Sequence, residues 1–273
     1  MNTLQTGQFY GVTNETTKHG GLTLTDTEYT HERVDWHYHQ NAYFTFILDG
    51  RVIEGNKKET YHCTPGSLLF HNWQEAHYNI KPKGFTRGFH IELEQDWFAA
   101  YGINPDAMQG SINLKHPQLK LLMYNIFKEA KLDGMTGTLA INTLLVELFS
   151  KAINSEAPPV HQRPLWVAQL RDILHDEPTA HWSLEQLAKQ LDIHPVHLSR
   201  DFSRYFNCGL GEYIRTIKVQ QALALMADKD SSLTTIALQC GFADQSHFNR
   251  SFKAMHQITP LAYKKLLARY AAC

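Results

Sequence analysis

Three histidines and one tyrosine in the first third of the sequence have a spacing that could form one binding site. His37 and His39 flank a single residue, so on a strand both side chains face the same side. His77 follows a Pro-Gly turn and a strand, and Tyr43 could add a phenolic hydrogen bond. Three imidazoles suit zinc, iron or another borderline metal, but the same residues could form a polar patch in a ligand pocket or be ordinary core histidines. Four other histidines show no spacing that assigns them to this site: His31, His62, His71 and His90.

A short pattern of histidine, arginine and phenylalanine occurs twice near the end of the sequence. The copies are His197–Phe202 and His247–Phe252, and both read histidine, apolar, small polar, arginine, any residue, phenylalanine. The segments upstream repeat as well, since Leu187-Ala188 is matched by Ile236-Ala237. Two copies are too few for a solenoid and indicate a duplicated structural unit. Chance similarity between two amphipathic helices is the alternative.

Length, composition and charge fit a globular protein with two domains. The chain has 273 residues, of which 43% are hydrophobic and 19% charged. From Pro164 onward there are 12 basic and 10 acidic residues, and before it there are 14 basic and 17 acidic residues. This small positive excess does not indicate a nucleic-acid partner by itself, so only the positions of the basic residues can argue for one. No apolar run approaches the roughly 20 residues of a membrane span, and the first residues do not read as a secretory signal. Four cysteines without CxxC spacing favour reduced thiols and a cytoplasmic location.

Short β-like segments separated by turns indicate a β-sandwich or small barrel in the first 100 residues. Tyr43–Leu48 is typical, since it is aromatic and β-branched and ends in an Asp-Gly turn. Two helical patterns follow, one from Pro117 and one from about residue 138. The second has a broad apolar surface, so the pair could cover the barrel, form a self-association face, or do both. The polar, proline-rich stretch that follows predicts a linker.

The sequence from Pro164 onward is helical in pattern and predicts two helix-turn-helix units. Ser183 and Gln186 form a capping box, and Pro195 is placed where the first residue of a helix tolerates proline. In the second unit Gly241 permits the turn and Asp244 can cap the next helix. Each second helix has a polar and basic outer face, as in a helix-turn-helix, although an ordinary helical hairpin can also have a solvated charged face. The occurrence of a second copy favours helix-turn-helix units. A longer amphipathic pattern between the units predicts a connecting helix.

The segment from about Trp182 to Lys265 resembles the DNA-binding domain of AraC/XylS-type transcription regulators. The resemblance is carried by Ile236-Ala237, Cys240–Phe248, Arg250–Lys253 and Thr259-Pro260. The upstream strands, the His-x-His pair, the Pro-Gly turn and the helix pair resemble the cupin-like sensor domain common in that family. Three residues depart from the family patterns: Gln257 stands where glycine is usual, Lys218 where arginine is usual, and Tyr43 where metal-binding cupins carry glutamate.

This resemblance implies a protein of the α+β class. Residues 1–155 would be a cupin-like β-barrel or sandwich with a helical hairpin, which senses a ligand and dimerises. Residues 156–163 would be the linker, and residues 164–273 an all-α domain with two helix-turn-helix units joined by a helix. The implied function is that of a sequence-specific DNA-binding transcription regulator, not an enzyme, whose first domain senses a small molecule or metal ion and controls dimerisation or DNA binding. The implied partners are double-stranded promoter DNA, a second copy of the chain, a small-molecule effector and, for an activator, RNA polymerase, with no membrane partner.

The resemblance also implies which residues contact DNA and effector. The two recognition helices would enter successive major-groove segments about 34 Å apart. Arg200 and Arg250 would read guanine, although one of them could pack or bind phosphate instead. The full set of expected DNA contacts is Val196, Ser199, Arg200, Ser203, Arg204, Ser246, His247, Asn249, Arg250 and Lys253. The expected ligand site is His37, His39, Tyr43 and His77, and its three histidines are the candidate ligands of a divalent metal.

Two other classes of protein fit part of the sequence. A metal-dependent cupin enzyme would use the histidines, but Tyr43 replaces the carboxylate and the helical half has no use in catalysis. A DNA-binding protein could also carry a first domain that only dimerises and binds no ligand. Metal analysis followed by turnover assays would identify the enzyme. Thermal-shift screening with metals and small molecules would test the class without a ligand, because a ligand of the native state raises the melting temperature.

Overall fold

The chain divides into two compact units in the computed structural model. The first contains Met1–Ser155 and Lys265–Cys273, and the second contains Glu156–Lys264. The structure describes residues 2–132, 137–155, 164–180, 182–206 and 208–268. The predicted linker, 156–163, lies outside them. Within the described ranges, no helix combines the length and apolar character that crossing a membrane requires.

Two β-sheets form the body of the first unit. Their strands in the described residues are β1 (Asn2–Leu4), β2 (Val12–His19), β3 (Leu22–Glu28), β4 (Arg33–His39), β5 (Ala42–Asp49), β6 (Val52–Asn56), β7 (Thr60–Cys63), β8 (Leu68–His71), β9 (His77–Ile80), β10 (Arg87–Leu93) and β11 (Ser111–Asn113). One sheet has the strand order β1-β4-β9-β6-β7 and the other β11-β8-β5-β10-β3-β2. The pair β1–β4 is parallel and the other described pairs are antiparallel.

The central strand β5 shows how the sequence separates a dry layer from a polar interior. Phe44 and Phe46 lie on one face of this strand, where they contact rings of the helices that cover the sheet. Tyr43 lies on the opposite face and forms a hydrogen bond with His77 of the other sheet. Alternation along the strand therefore sends apolar residues towards the helices and polar residues between the two sheets. The predicted β-sandwich or barrel is confirmed.

The helices that follow the strands in the described part of the first unit are α1 (Gln95–Ala100), α2 (Pro117–Lys131) and α3 (Gly137–Ser155), with a short 3-10 turn at Pro105–Ala107. Helix α2 begins at the predicted proline, and the His116 side chain accepts a hydrogen bond from the backbone N–H of Gln118. Phe149 of α3 lies 5.3 Å from Phe44 between ring centroids, so α3 covers the six-stranded sheet. Leu139 is 71% exposed, and the self-association face stays a prediction.

A buried ion-pair network connects β3, β10 and α2. Asp26 accepts hydrogen bonds from Arg87 at 2.8 and 2.6 Å, and the ammonium group of Lys131 lies 2.7 Å from the same carboxylate. Asp26 and Arg87 are 1% and 2% exposed. Removing one partner of such a network leaves an uncompensated buried charge, so these residues fix the position of α2 on the sheet.

Helices make up the second unit. They are α4 (Leu165–Asp176), α5 (Leu184–Gln190), α6 (Pro195–Phe206), α7 (Leu210–Leu225), α8 (Leu233–Gln239), α9 (Gln245–His256) and α10 (Pro260–Ala268), which continues into the segment grouped with the first unit. The predicted capping box is present, since Ser183 Oγ accepts from Gln186 N and Gln186 Oε1 accepts from Ser183 N. Asp244 caps α9 by accepting from the backbone N–H of His247.

The turns α5–α6 and α8–α9 have the same backbone hydrogen bond and the same left-handed residue. The N–H of Ile193 donates to Ala188 O at 3.0 Å, and the N–H of Phe242 donates to Ala237 O at 3.0 Å. Asp192 and Gly241 hold the equivalent positions with φ of 51° and 72°. The sequence repeat is therefore a structural repeat, and the prediction of two helix-turn-helix units is confirmed.

Helix α7 connects the two helix-turn-helix units. Its Tyr213 contacts Phe206 of the first helix-turn-helix unit, with 4.9 Å between ring centroids. Further along, the Lys218 ammonium donates a 2.8 Å hydrogen bond to the carbonyl of Gly241 in the second turn. The lysine that departs from the family pattern is thus bonded to the backbone of the turn before the second recognition helix.

Candidate functional site

The predicted outer face of α6 is exposed to solvent. Leu198, Phe202 and Phe206 are buried and fix the helix on the core. All five predicted contact residues of this helix are exposed: Val196, Ser199, Arg200, Ser203 and Arg204. Val196 is an apolar residue that is 62% exposed, so it is available for contact with a partner.

Arg200 is held by two neighbours on its own helix. Its guanidinium donates to both carboxylate oxygens of Asp201, at 2.9 and 3.2 Å. Its Nη2 also lies 3.1 Å from Nδ1 of His197. The hydrogen bonds with the Asp201 carboxylate raise the pKa of Arg200, and those with the guanidinium lower the pKa of Asp201. The first recognition helix thus presents a paired arginine.

In the second recognition helix, α9, the central arginine is not followed by aspartate. Four predicted contact residues of this helix are exposed: Ser246, Asn249, Arg250 and Lys253. His247 is half-buried, with its ring 5.3 Å from that of Phe242. Arg250 forms no ion pair or side-chain hydrogen bond with any residue that the structure describes, and Ser251 stands where the first copy has aspartate.

The four predicted ligand-site residues of the first unit come together between the two sheets. His37, His39 and His77 are each 2% exposed, as is Tyr43. Ring centroids of His37 and His77 lie 4.2 Å apart, and those of His39 lie 5.6 and 5.7 Å from the other two. One ring nitrogen from each histidine can be chosen so that the three atoms lie within 4.8 Å of one another. The structure thus assembles a three-imidazole cluster from β4 and β9.

Backbone carbonyls orient two of these imidazoles. Nδ1 of His37 donates to Asp35 O at 2.9 Å, and Nδ1 of His77 donates to Glu75 O at 3.1 Å. A carbonyl can only accept, so in the neutral ring the lone pair is on Nε2. Nε2 of His77 then accepts from the Tyr43 hydroxyl at 3.0 Å.

Burial sets the charge state of this cluster. It lowers the pKa of His37, and it lowers the pKa of His39 and His77 well below the usual imidazole value. Burial also raises the pKa of the Tyr43 hydroxyl well above its ordinary value. At neutral pH the site therefore holds neutral imidazoles, which can bind metals, and a protonated phenol, which can donate a hydrogen bond.

Four polar residues at this site were not predicted: Glu54, His71, His90 and Glu92. Glu54 Oε1 lies 2.9 Å from Nε2 of His71, and its Oε2 accepts from Asn79 at 3.2 Å. Burial alone would raise the pKa of Glu54, but the neighbouring His71 and His77 and the Asn79 amide lower it to about 2. A buried negative charge therefore lies beside the histidines.

The segment before β2 covers the same space with aromatic rings. Phe9 stacks on His90 with 3.7 Å between ring centroids, and Tyr10 lies 5.1 Å from His37. Together these residues line a cavity of about 450 Å³, counted to its open mouth. Aromatic walls with a few convergent polar groups are typical of a small-molecule site.

The fold and these two surfaces define a two-domain protein with a β-barrel ligand-binding domain and a double helix-turn-helix. Comparison with known families agrees, because residues 19–149 match the AraC-like ligand binding domain and residues 187–266 match a helix-turn-helix domain. The chain belongs to the AraC-type family, as its sequence motifs indicate.

Individual relatives carry names of the same kind. The chain is 33% identical over 82 residues to the probable transcription factor PqrA of Proteus vulgaris, covering 30% of this chain and 67% of that protein. It is 25% identical over 157 residues to an HTH-type transcriptional regulator of Haemophilus influenzae, covering 55% of this chain and 52% of the relative, so it spans about half of that protein's length. It is 23% identical over 258 residues to the arabinose operon regulatory protein of Salmonella typhimurium, covering 82% and 89%. These names are those of regulators, which agrees with the expectation that the chain is not an enzyme.

Proposed function

We propose that this protein is a sequence-specific DNA-binding transcription regulator whose barrel domain responds to a small effector. The observation that carries the proposal is the duplicated helix-turn-helix, in which α6 and α9 each anchor on buried phenylalanines and expose an arginine-containing polar face. Two such helices in one chain suit two successive major-groove segments. Family membership supports the same function.

Each exposed residue has a role that its chemistry favours. Arg200 and Arg250 read guanine, Asn249 reads adenine, and Val196 contacts a thymine methyl group. Arg204 and Lys253 neutralise phosphates. The remaining contacts, Ser199, Ser203, Ser246 and His247, are short or polar side chains that suit either bases or backbone. Because the two helices differ in sequence, the site for one chain is asymmetric and directional.

The barrel supplies the regulatory input in this proposal. An effector bound among His37, His39, Tyr43 and His77 changes DNA binding only when it has different affinities for two states of the protein. Domain limits of 1–155 and 164–273, homodimerisation, contact of an activator with RNA polymerase and a cytoplasmic location remain predictions from the resemblance.

Selection of binding sites from random double-stranded DNA tests the proposed function. Full-length protein is expected to enrich one asymmetric sequence, and the R200A/R250A double variant to enrich none while keeping its melting temperature. A matched control is the K57A/K58A variant, which changes two lysines of the first unit outside both candidate sites and should select the wild-type sequence. Enrichment of the same sequence by R200A/R250A would contradict the assignment of these helices as base readers.

A further inference from the structure

We propose that His37, His39 and His77 bind one divalent transition-metal ion, and that the Tyr43 hydroxyl holds the third imidazole until the metal displaces it. The inference rests on the proposed function, in that it names the chemical class of effector for the barrel. It concerns residues of two neighbouring strands, β4 and β9, which the register brings side by side by pairing His37 with His77.

The positions of the ring nitrogens fit a single ion after a small movement. The three chosen nitrogens lie within 4.8 Å of one another, and all three side chains are 2% exposed. Zinc–imidazole bonds are about 2.0–2.1 Å long, so the nitrogens need to approach one another by about 1–1.5 Å. Small rotations about the side-chain torsions of the rings cover that distance.

Hydrogen bonds behind the rings orient the lone pairs that a metal requires. Metal-bound imidazoles usually donate their other N–H to a carbonyl or carboxylate. His37 and His77 already do so, to the carbonyls of Asp35 and Glu75. These bonds direct Nε2 of both rings into the cluster.

His39 is the third member and has an unsatisfied buried atom. Its Nδ1 has no hydrogen-bond partner in the described residues, and Glu92 Oε1, 3.9 Å away, has none either. A buried polar atom without a partner costs about 1–3 kcal/mol, so such atoms call for an explanation. A metal ion bound to Nε2 of His39 would leave Nδ1–H free to donate to the Glu92 carboxylate. This bond would match those that Nδ1 of His37 and of His77 already donates to backbone carbonyls.

Charge balance also favours a cation over an anion. Glu54 is 3% exposed and lies against His71, on the adjoining part of the cavity wall. Its negative charge can offset part of the charge of a divalent ion, since buried charges persist only where they are paired or bind metals. Imidazole nitrogens without thiolates suit zinc, copper, nickel and iron rather than magnesium or calcium.

Tyr43 distinguishes this site from one that retains its metal ion permanently. Its hydroxyl occupies Nε2 of His77 at 3.0 Å, which is the lone pair that a metal would use. Metal must therefore displace a buried hydrogen bond, which weakens binding and makes it reversible, as sensing requires. Tyr43→Phe removes the competitor and keeps the ring that packs 4.3 Å from His39.

Titration of EDTA-dialysed full-length protein with Co²⁺, followed by its visible absorption, tests the inference, and competition with Zn²⁺ gives the affinity. We expect one ion per chain, binding at least about 100-fold weaker in H37A and H77N, and binding about five-fold tighter in Y43F. His62 is exposed in the same unit, so H62A is the matched control and should bind as wild type does.

Three outcomes would overturn the inference: no Co²⁺ bands with wild-type protein, equal loss of binding in H62A and H77N, or weaker binding in Y43F, which would overturn the role of Tyr43. Melting curves of each variant identify those that fail to fold, and the conservative Y43F change keeps the test valid if H37A does not. DNA selection by the same samples separates the two proposals. DNA selection by a wild-type protein that binds no Co²⁺ contradicts only the metal site, whereas Co²⁺ binding by a wild-type protein that selects no DNA sequence contradicts only the regulator.

Discussion

The guanidinium of Arg200 is bound by both oxygens of the adjacent Asp201, at 2.9 and 3.2 Å. In the second copy of the same motif, Arg250 is followed by Ser251 and forms no ion pair in the described residues. One recognition helix thus carries an arginine whose charge is matched locally, and the other carries an arginine with its full charge available. The two copies share a fold and differ in how freely their central cation can reach DNA.

Replacing Asp201 with serine should strengthen DNA binding by the first helix-turn-helix unit. The change releases Arg200 and removes a negative charge from the proposed DNA-binding face. Exposed ion pairs contribute little, so an increase in affinity of about two- to five-fold is expected, and it should be largest at low salt. Electrophoretic mobility shift with the selected sequence measures it.

The reciprocal variant S251D provides the matched control for D201S. It places aspartate beside Arg250 and should weaken binding by a similar factor at the other half of the site. If D201S leaves affinity unchanged while S251D lowers it, the Arg200–Asp201 pair does not restrain the first reader.

Arg250 and Lys253 should produce different losses when each is changed to alanine. Arg250→Ala would remove the proposed bidentate contact to guanine, which is worth about 1–3 kcal/mol of discrimination, and should relax base preference in one half of the site. Lys253→Ala should weaken binding to all sequences alike, and it should reduce the slope of log affinity against log salt concentration by about 1. Binding-site selection and salt titrations distinguish these effects, and an unchanged preference in R250A would assign base reading elsewhere.

Local patterns in the sequence were enough to predict the helical part of the fold. The two helix-turn-helix units were predicted because capping, turn and anchor residues all lie within about 25 residues, and because the pattern occurs twice. Even the left-handed residue recurs, as aspartate at position 192 and glycine at position 241. In the first unit, the alternation around Tyr38 was enough to place His37 and His39 on one face.

The polar partners of the cluster were missed because they depend on strand pairing. Tyr43 is paired with His71 and with Glu92, which lie 28 and 49 positions further along the chain. A one-residue change of register would turn each of these side chains to the opposite face, so spacing in the sequence alone does not predict them. The alternating pair His90 and Glu92 on β10 was the one available signal, since both lie on the same face of a strand.

Gln257→Gly should stabilise the second unit. Gln257 ends α9 with φ of 61° and ψ of 4°, a left-handed conformation that glycine adopts without the steric cost of a Cβ atom. A gain of about 1 kcal/mol in the free energy of unfolding is expected, measurable by urea denaturation. Gln257→Ala keeps the Cβ atom and should give no gain, and a less stable Q257G variant would show that the side chain stabilises the helix end.

Acid should destabilise the first unit through its buried histidines. Burial lowers the pKa of four imidazoles, those of His37, His39, His77 and His90, the last to about 3. In the unfolded chain these groups bind protons near pH 6.5, so below that pH the unfolded state binds more protons than the folded state. Their contribution to stability is complete above about pH 6.5 and is lost as the pH falls. Glu92 opposes this trend between about pH 4.5 and 7, since burial raises its pKa to about 7.

The variant H90Q isolates one of these groups. Glutamine can replace the hydrogen bonds that His90 makes with Tyr29 and Thr45, at 3.1 and 3.3 Å, but it does not titrate. Each buried histidine contributes a slope of at most about 1.4 kcal/mol per pH unit between its two pKa values. Melting temperatures of metal-free protein between pH 4 and 8 should therefore fall less steeply with acid in H90Q than in wild type. Parallel curves would show that His90 is protonated to the same extent in the folded and unfolded states.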